Sequence, residues 1–281
     1  MKILYFAASF NLTLVKDIFM GLLIGTSRIF ADICKRNNLG GDALTLGHQR
    51  VLITKEQVEA EQRFKSIDIS SENNFEWHPR WRQNFLKCES FLKGLGFSSV
   101  SSLDVSTYEG ATIKFDLNSH NTPVHLASKF DLIFDGSTLE HIFGISNAIG
   151  HIVDMLRIGG HVVHISPTNN FIDDGFYQLS PLFFQEFYQA NGFEIVSLDY
   201  HQFNIKRNME LNGVFETEDQ IQPYVPATPK PDQLISSDPS LDKELPTQVL
   251  VVAKKLRSVA EVKFPFQARY SGKQYWQEGL D

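Results

Sequence analysis

Three side chains capable of acid–base chemistry lie close together in the segment FDLIFDGSTLEHI, residues 130–142. Asp135, Glu140 and His141 could exchange a proton with a substrate. However, Ser137 followed three residues later by Glu140 is also the pattern of a capping box, in which both side chains bind free N–H groups at the start of a helix. This pattern favours a structural role for Glu140. His141 is then either a packed, hydrogen-bonded histidine or the general base of a reaction.

The elements around this segment alternate between strands and helices. Alternation of this kind predicts a parallel sheet covered by helices on both faces. Strands are predicted at 42–47, 98–104, 111–117, 130–135, 161–166, 193–203 and 247–256. Helices are predicted at 81–95, from 145 to a stop at 159–160, and at 180–192.

Polar or glycine residues follow four of the predicted strands. In an open parallel sheet, ligands bind outside the carboxyl ends of the strands. A carboxylate at the end of one strand can accept hydrogen bonds from ribose hydroxyls, and one at the next strand end can accept a hydrogen bond from an adenine amino group. The sequence therefore predicts an adenosine-containing cofactor at this edge. The four strand ends are Gly47-His48, Asp104-Val105-Ser106, Asp116-Leu117 and Asp135-Gly136.

Residues 96–198 resemble a class I S-adenosylmethionine-dependent methyltransferase. The resemblance is carried by the segments SLDVS, KFDLN, FDLIFDGSTLEHI, LRIGGHVVHISP and LSPLFFQEFYQANGFEIV, and QVLVVAKKL is similar to the antiparallel last strand of that family. It implies a Rossmann-like, doubly wound, mostly parallel sheet of seven strands. It also implies S-adenosyl-L-methionine as cofactor and methyl transfer to an oxygen or nitrogen of a small-molecule acceptor.

The resemblance assigns roles to the strand-end residues. It places Gly47 and His48 at the methionine end of the cofactor, Asp104 at the ribose, Asp116 at the adenine, and Asp135-Gly136 beside the sulfonium. His141, and after it His164, are the candidate bases. The loop after the first strand departs from the family pattern, because Gly47 is its single glycine and His48-Gln49 follow. A non-catalytic binding or scaffold protein with the same fold is therefore the alternative.

Composition and motifs exclude several other classes. The net charge of −7 gives no attraction for nucleic acid or an anionic membrane surface. The two cysteines form no CxxC pair, and no GxGxxG turn of a nicotinamide dehydrogenase is present. His161 and His164 lie three apart in one predicted strand and so face opposite sides, and we assign no metal site from the sequence.

The remaining segments suggest the organisation of the chain. Residues 1–40 are predicted to form a helical segment packed on the core, with membrane-surface attachment or a homodimer contact as alternatives. We expect no membrane span, because Lys16 and Asp17 interrupt the apolar run, and no export signal, so the cytoplasm is the expected location. A methyltransferase-like domain is predicted over 41–258, with insertions at 55–79 and 207–246, followed by a surface tail over 259–281. The second insertion holds six prolines between Pro223 and Pro246 and is predicted to be a long loop.

Overall fold

The computed structural model describes residues 21–79, 81–205, 217–224 and 245–267. Its strands are β1 (Gly21–Leu22), β2 (Gly41–Leu46), β3 (Arg50–Val51), β4 (Phe75–His78), β5 (Gln83–Leu86), β6 (Phe97–Asp104), β7 (Ile113–Lys114), β8 (Phe130–Gly136), β9 (Leu156–Asn169), β10 (Phe193–Ile205), β11 (Thr217–Pro223) and β12 (Thr247–Lys255). Its helices are α1 (Ile24–Arg36), α2 (Lys55–Ala60), α3 (Cys88–Gly94), α4 (Ile145–Met155) and α5 (Pro181–Ala190).

Eight of the strands form one sheet in the order β11-β10-β12-β9-β8-β2-β6-β7. From β9 to β7 every neighbouring pair is parallel. Strand β12 is antiparallel to both of its neighbours, β9 and β10. This order confirms the predicted Rossmann-like α/β fold with an antiparallel last strand.

Strand β11 adds an eighth member that the sequence did not predict. It lies within the segment 207–246, which was expected to be a loop, and pairs antiparallel with β10 at the edge of the sheet. Its last residue, Pro223, has no N–H to donate, which an edge strand tolerates and a central strand does not. The other residues of that segment that we expected to form a loop, 207–216 and 225–244, lie outside the described residues.

The sheet is buried on both faces, as its alternating side chains show. On β8, Leu132 and Phe134 join a cluster that includes α1 and α3, whereas Ile133 faces the opposite cluster with α4 and α5. Strand β12 alternates in the same way, with Leu250 on the first face and Val251 on the second. The period of two along each strand therefore divides the core into two layers.

Two predicted helix boundaries are wrong. The helix expected over 81–95 is strand β5 followed by α3, because residues 83–86 pair with β4 in a hairpin that overrides the helical spacing of the apolar residues. The helix expected to stop at 159–160 ends at Met155, and β9 begins at Leu156. At the other end of the sheet, Ser180 accepts a hydrogen bond from the Leu182 N–H and caps α5, as its sequence predicts.

The N-terminal segment is described only from residue 21 onward, where α1 packs into the first cluster. The homodimer and membrane-surface alternatives fall largely on residues 1–20, which lie outside the described residues, so they stay predictions. The domain boundaries and the cytoplasmic location stay predictions as well. Among the described residues, no helix is long and apolar enough to cross a bilayer.

Candidate active site

A cleft of about 400 Å³ opens at the carboxyl ends of β2, β6 and β8. Its walls come from three parts of the chain: residues 47–49, residues 103–118 and residues 136–142. Of the sequence-predicted site residues, the cleft is lined by Gly47, His48, Asp104, Val105, Asp116, Leu117, Gly136 and His141. Ser106, Asp135 and His164 lie outside its lining.

Two carboxylates at neighbouring strand ends form one end of the cleft. The Oδ1 atom of Asp104 accepts a hydrogen bond from the Ser106 N–H at 3.1 Å. The Oδ1 atom of Asp116 accepts from the Asn118 N–H at 2.8 Å and from its side-chain Nδ2 at 3.0 Å. These hydrogen bonds from Asn118 hold the pKa of Asp116 below its ordinary value. Each carboxylate is thus oriented by its own loop and can accept hydrogen bonds from hydroxyl or amino groups of a ligand.

At the opposite corner, the side chain of Gln49 fills the space between the ends of β2 and β8. Its Nε2 donates to the Leu46 carbonyl at 2.6 Å and lies 3.2 Å from the Thr138 hydroxyl. A side chain at position 136 would collide with Gln49 in this position, because a Cβ atom on Gly136 would lie 2.5 Å from the Gln49 Oε1. Sequence reasoning noted the single glycine of this loop but not that Gln49 occupies the corner.

A fully buried polar network lies behind the turn that follows β8. The Nδ1 of His164 is 2.7 Å from the Asp135 Oδ2, and its Nε2 is 2.6 Å from the Tyr188 hydroxyl. The Asp135 Oδ1 accepts from the Thr138 N–H at 2.9 Å. Burial, together with the charge of Asp135, raises the pKa of the Tyr188 hydroxyl. Asp135 and His164 therefore support the turn from inside the core and do not face the cleft.

The capping box expected at Ser137 and Glu140 does not form. Ser137 has a φ of 69°, which is incompatible with the extended backbone of a helix N-cap. Residues 139–141 form a single 3-10 turn, and helix α4 begins only at Ile145. Asp135 takes over the capping role, because its Oδ1 also accepts from the Leu139 N–H at 3.3 Å. The carboxyl group of Glu140 therefore does not cap a helix.

The carboxyl group of Glu140 is fully buried, and neither oxygen has a hydrogen bond that meets normal geometry within the described part of the chain. Burial and the nearby charge of Asp135 raise its pKa to about 8, and the adjacent Ser137 hydroxyl offsets part of this rise. Glu140, His141 and Asp174 each place a ligand-type atom within 4.8 Å of the other two. Sequence reasoning missed Asp174, which is distant in the chain.

The loop at 169–177 is only partly near the cleft. Phe171 belongs to a small core cluster with Leu23 and Leu52. Phe176 is exposed and packs edge to face against the exposed Phe143, with ring centroids 5.5 Å apart. The Phe143–Phe176 pair therefore forms an apolar rim next to Ile142, a residue of the cleft wall.

Comparisons with known proteins found remote likenesses in structure. No protein-family model and no curated protein sequence matches the chain. It is similar to a solved, provisionally assigned methyltransferase from Bacillus halodurans, with 9% identity and a TM-score of 0.42, over 81% of this chain and 98% of that one. It is also similar to the 1,6-didemethyltoxoflavin N1-methyltransferase of Burkholderia thailandensis, solved with S-adenosylhomocysteine, with 11% identity and a TM-score of 0.39, over 82% and 78%.

A third solved structure is the C9 mutein of the branched-chain polyamine synthase of Thermus thermophilus, in complex with N4-aminopropylspermidine and 5′-methylthioadenosine. It has 13% identity and a TM-score of 0.43, over 89% of this chain and 62% of that one. These likenesses are too remote to say what the chain does. The strand order, with one antiparallel strand between β9 and β10, and the cleft at the carboxyl ends are those of a Rossmann-like α/β fold.

Proposed function

We propose that the chain is an S-adenosylmethionine-dependent methyltransferase that acts on an oxygen or nitrogen of a small-molecule acceptor. The observation that carries the proposal is the pair of oriented carboxylates, Asp104 and Asp116, at adjacent strand ends of a cleft in this fold. A cleft of about 400 Å³ suits a small ligand better than a macromolecule.

The residues of the cleft differ in how well they fit the separate parts of this cofactor. Asp104, with Val105 and Ser106 in its loop, would hold the ribose, and Asp116 with Leu117 would hold the adenine. Gly47, His48 and Gly136, with Asp135 beneath it, would border the methionine and sulfonium end, where Gln49 must move aside. The bound cofactor supplies an electrophilic methyl group on a positively charged sulfur.

The chain's own contribution is alignment of the acceptor with that methyl group. Correct positioning of two reactants can lower a barrier by about 7–11 kcal/mol in favourable cases. His141 lines the cleft and is the side chain that we assign to the acceptor. Its role there depends on its two carboxylate neighbours, Glu140 and Asp174.

Asp104→Ala tests the assignment of the ribose site. Loss of a charged hydrogen-bond acceptor costs about 1.5–3 kcal/mol, so we expect S-adenosylmethionine to bind about 10- to 150-fold more weakly. Isothermal titration calorimetry with S-adenosylmethionine and S-adenosylhomocysteine measures this directly. Asp68→Ala is the matched control, since Asp68 accepts from the Ser70 N–H in the same kind of turn, away from the cleft. Equal affinity in the two variants would remove the assignment.

A non-catalytic binding protein with this fold is the second candidate, and the position of Gln49 favours it. The two functions differ in one observable. A methyltransferase yields S-adenosylhomocysteine and an acceptor that is heavier by one methyl group, whereas a binding protein returns the cofactor unchanged. Incubation with pools of small hydroxyl and amino compounds, followed by mass spectrometry, separates them.

A further inference from the structure

The buried carboxyl group of Glu140 lacks a partner that would explain its burial. A carboxyl group inside a protein normally forms hydrogen bonds or ion pairs, because leaving it unpaired costs several kcal/mol. Glu140 is 0% exposed, and both of its oxygens lack a well-formed hydrogen bond among the described residues. The ligand-type atoms of His141 and Asp174 lie within 4.8 Å of a Glu140 carboxylate oxygen, and both side chains can bind cations.

We propose that Glu140, His141 and Asp174 bind one divalent metal cation at the acceptor end of the cleft. Two atoms bound to the same first-row ion at about 2.1 Å lie up to about 4.2 Å apart. The three side chains, already within 4.8 Å of one another, need only small rotations to reach that spacing. Two carboxylates balance the double charge of the ion, and the imidazole can bind it in its neutral form.

The backbone holds the two halves of this site together. The Phe176 N–H donates to the Glu140 carbonyl at 2.8 Å, which ties the 170s loop to the turn after β8. Gly175 packs directly on Glu140, since a Cβ atom there would lie 2.8 Å from the Glu140 carbonyl oxygen. Asp174 is therefore held beside Glu140 by contacts that do not involve its own side chain.

The donor set indicates which cations fit. One imidazole nitrogen and two carboxylates, without thiolate, suit Mn²⁺, Fe²⁺ or Zn²⁺. Both cysteines are buried in the first core cluster and belong to a different part of the molecule. Three protein ligands leave coordination positions open, and His141 brings the site to the wall of the cleft.

The acceptor class follows from this position, and this step rests on the proposed methyltransferase function. A cation at the acceptor end would bind an acceptor hydroxyl and lower its pKa, so that its proton passes to solvent before the methyl group arrives. His141 then acts as a ligand of the ion instead of as the base. The site therefore favours acceptors with a hydroxyl group, and oxygen over nitrogen as the atom that is methylated.

Titration of the full chain with Mn²⁺ tests the site without any cofactor. After chelator treatment and dialysis, electron paramagnetic resonance measures free Mn²⁺, and we expect one bound ion per chain. Glu140→Gln and Asp174→Asn should each weaken binding by at least about tenfold, since even loss of a group that supports a ligand costs 10- to 100-fold. Asp173→Asn is the control, because it removes the neighbouring carboxylate and should leave the affinity unchanged.

The Asp174→Asn variant still tests the proposal if the Glu140→Gln variant fails to fold. Asp174 is only partly buried, so its substitution should not prevent folding. Absence of binding at millimolar Mn²⁺ and millimolar Zn²⁺ would overturn the proposal. Binding that is equal in the Asp174→Asn and Asp173→Asn variants would overturn it too, since the ion would then lie elsewhere. Because no cofactor is added, failure of S-adenosylmethionine binding would leave the result for the metal unaffected.

Discussion

Gln49 limits what the corner of the cleft between Gly47 and Gly136 can hold. Its side chain is 5% exposed and is fixed by the Leu46 carbonyl and the Thr138 hydroxyl. A ligand that extends past Gly136 toward Gly47 must displace this carboxamide and break its hydrogen bonds. A ligand that ends at the ribose would not meet it. The residue therefore distinguishes ligands by length.

Gln49→Ala is expected to tighten binding of S-adenosylmethionine by up to about thirtyfold, because two hydrogen bonds of about 1 kcal/mol each no longer have to be broken. The affinity for 5′-methylthioadenosine, which lacks the amino-acid part, should stay the same. Calorimetric titration of both ligands against the wild type and the variant measures the difference. If both affinities rise by the same factor, Gln49 does not act on the methionine end.

The residues of the site differ in how far the sequence predicts them. The position of Asp104 and Asp116 in the cleft wall is predictable, because residues that directly follow parallel strands lie at one edge of the sheet. Glu140 is misread, because the local Ser-x-x-Glu pattern of a capping box ignores the left-handed backbone at Ser137. Asp174 is not predictable locally, since the contacts of Gly175 and Phe176 with Glu140 bring it there in the folded chain.

At the scale of elements, one buried network joins β8, β9 and α5. Asp135, His164 and Tyr188 each belong to a different one of these elements, and all three side chains are fully buried. Low-dielectric surroundings make such a network strong when complete and costly when one partner is missing. The turn that carries Gly136 and His141 is thus positioned by residues that do not touch the cleft.

Tyr188→Phe removes one hydroxyl from this network and leaves the His164 Nε2 buried without its partner. We expect a loss of about 1–3 kcal/mol in the free energy of unfolding. Urea denaturation followed by circular dichroism measures this change. Tyr177→Phe is the matched control, since the Tyr177 hydroxyl donates to the Phe143 carbonyl at an exposed position. Equal stability of the two variants would contradict a supporting role for the network.

The strength of the local pattern decides how well an element is predicted. Strands β8 and β12 are read correctly, because both are long apolar runs buried on two faces. Strand β5 is missed, since Phe85, Cys88 and Phe91 have helical spacing and only the pairing with β4 makes residues 83–86 extended. Pairing between segments is a property of the folded chain and leaves little trace in a short stretch of sequence.

At the scale of the whole molecule, the edge of the sheet opposite the cleft is joined by an ion-pair network. Arg157 at the start of β9 donates to Asp131 at 2.6 Å and to Asp42 at 2.9 Å. The Asp131 carboxylate also accepts from the Asp42 N–H at 2.8 Å. Hydrogen bonds from Ser99 and then from Arg157 lower the pKa of Asp42. Three central strands are thus joined at the end of the sheet opposite the cleft.

Arg157→Ala should lower the free energy of unfolding by about 1 kcal/mol or less, because the pairs are partly exposed. Because the pKa of Asp42 is lowered, its carboxylate adds to the free energy of unfolding above pH 3.8, the ordinary pKa of an aspartate. This contribution is lost as the pH falls through the pKa of Asp42 in the folded state. The loss caused by Arg157→Ala should therefore be larger at about pH 7 than at about pH 3.

Urea denaturation of both proteins at the two pH values measures this difference. Arg63→Ala serves as the control, because Arg63 forms an exposed pair with Asp32 on α1 and does not join strands. A loss for Arg157→Ala that is independent of pH would show that the residue acts through packing alone.

The position of β12 has a consequence for the synthesis of the chain. This strand lies between β9 and β10, although it leaves the ribosome after all the other described strands. Until it emerges, β9 and β10 cannot complete their hydrogen bonding. Lys255 has also not yet reached the Val153 and Leu156 carbonyls, which its ammonium group binds at 2.6 and 2.8 Å. A chain cut short before Thr247 would keep two open strand edges, a typical starting point for aggregation.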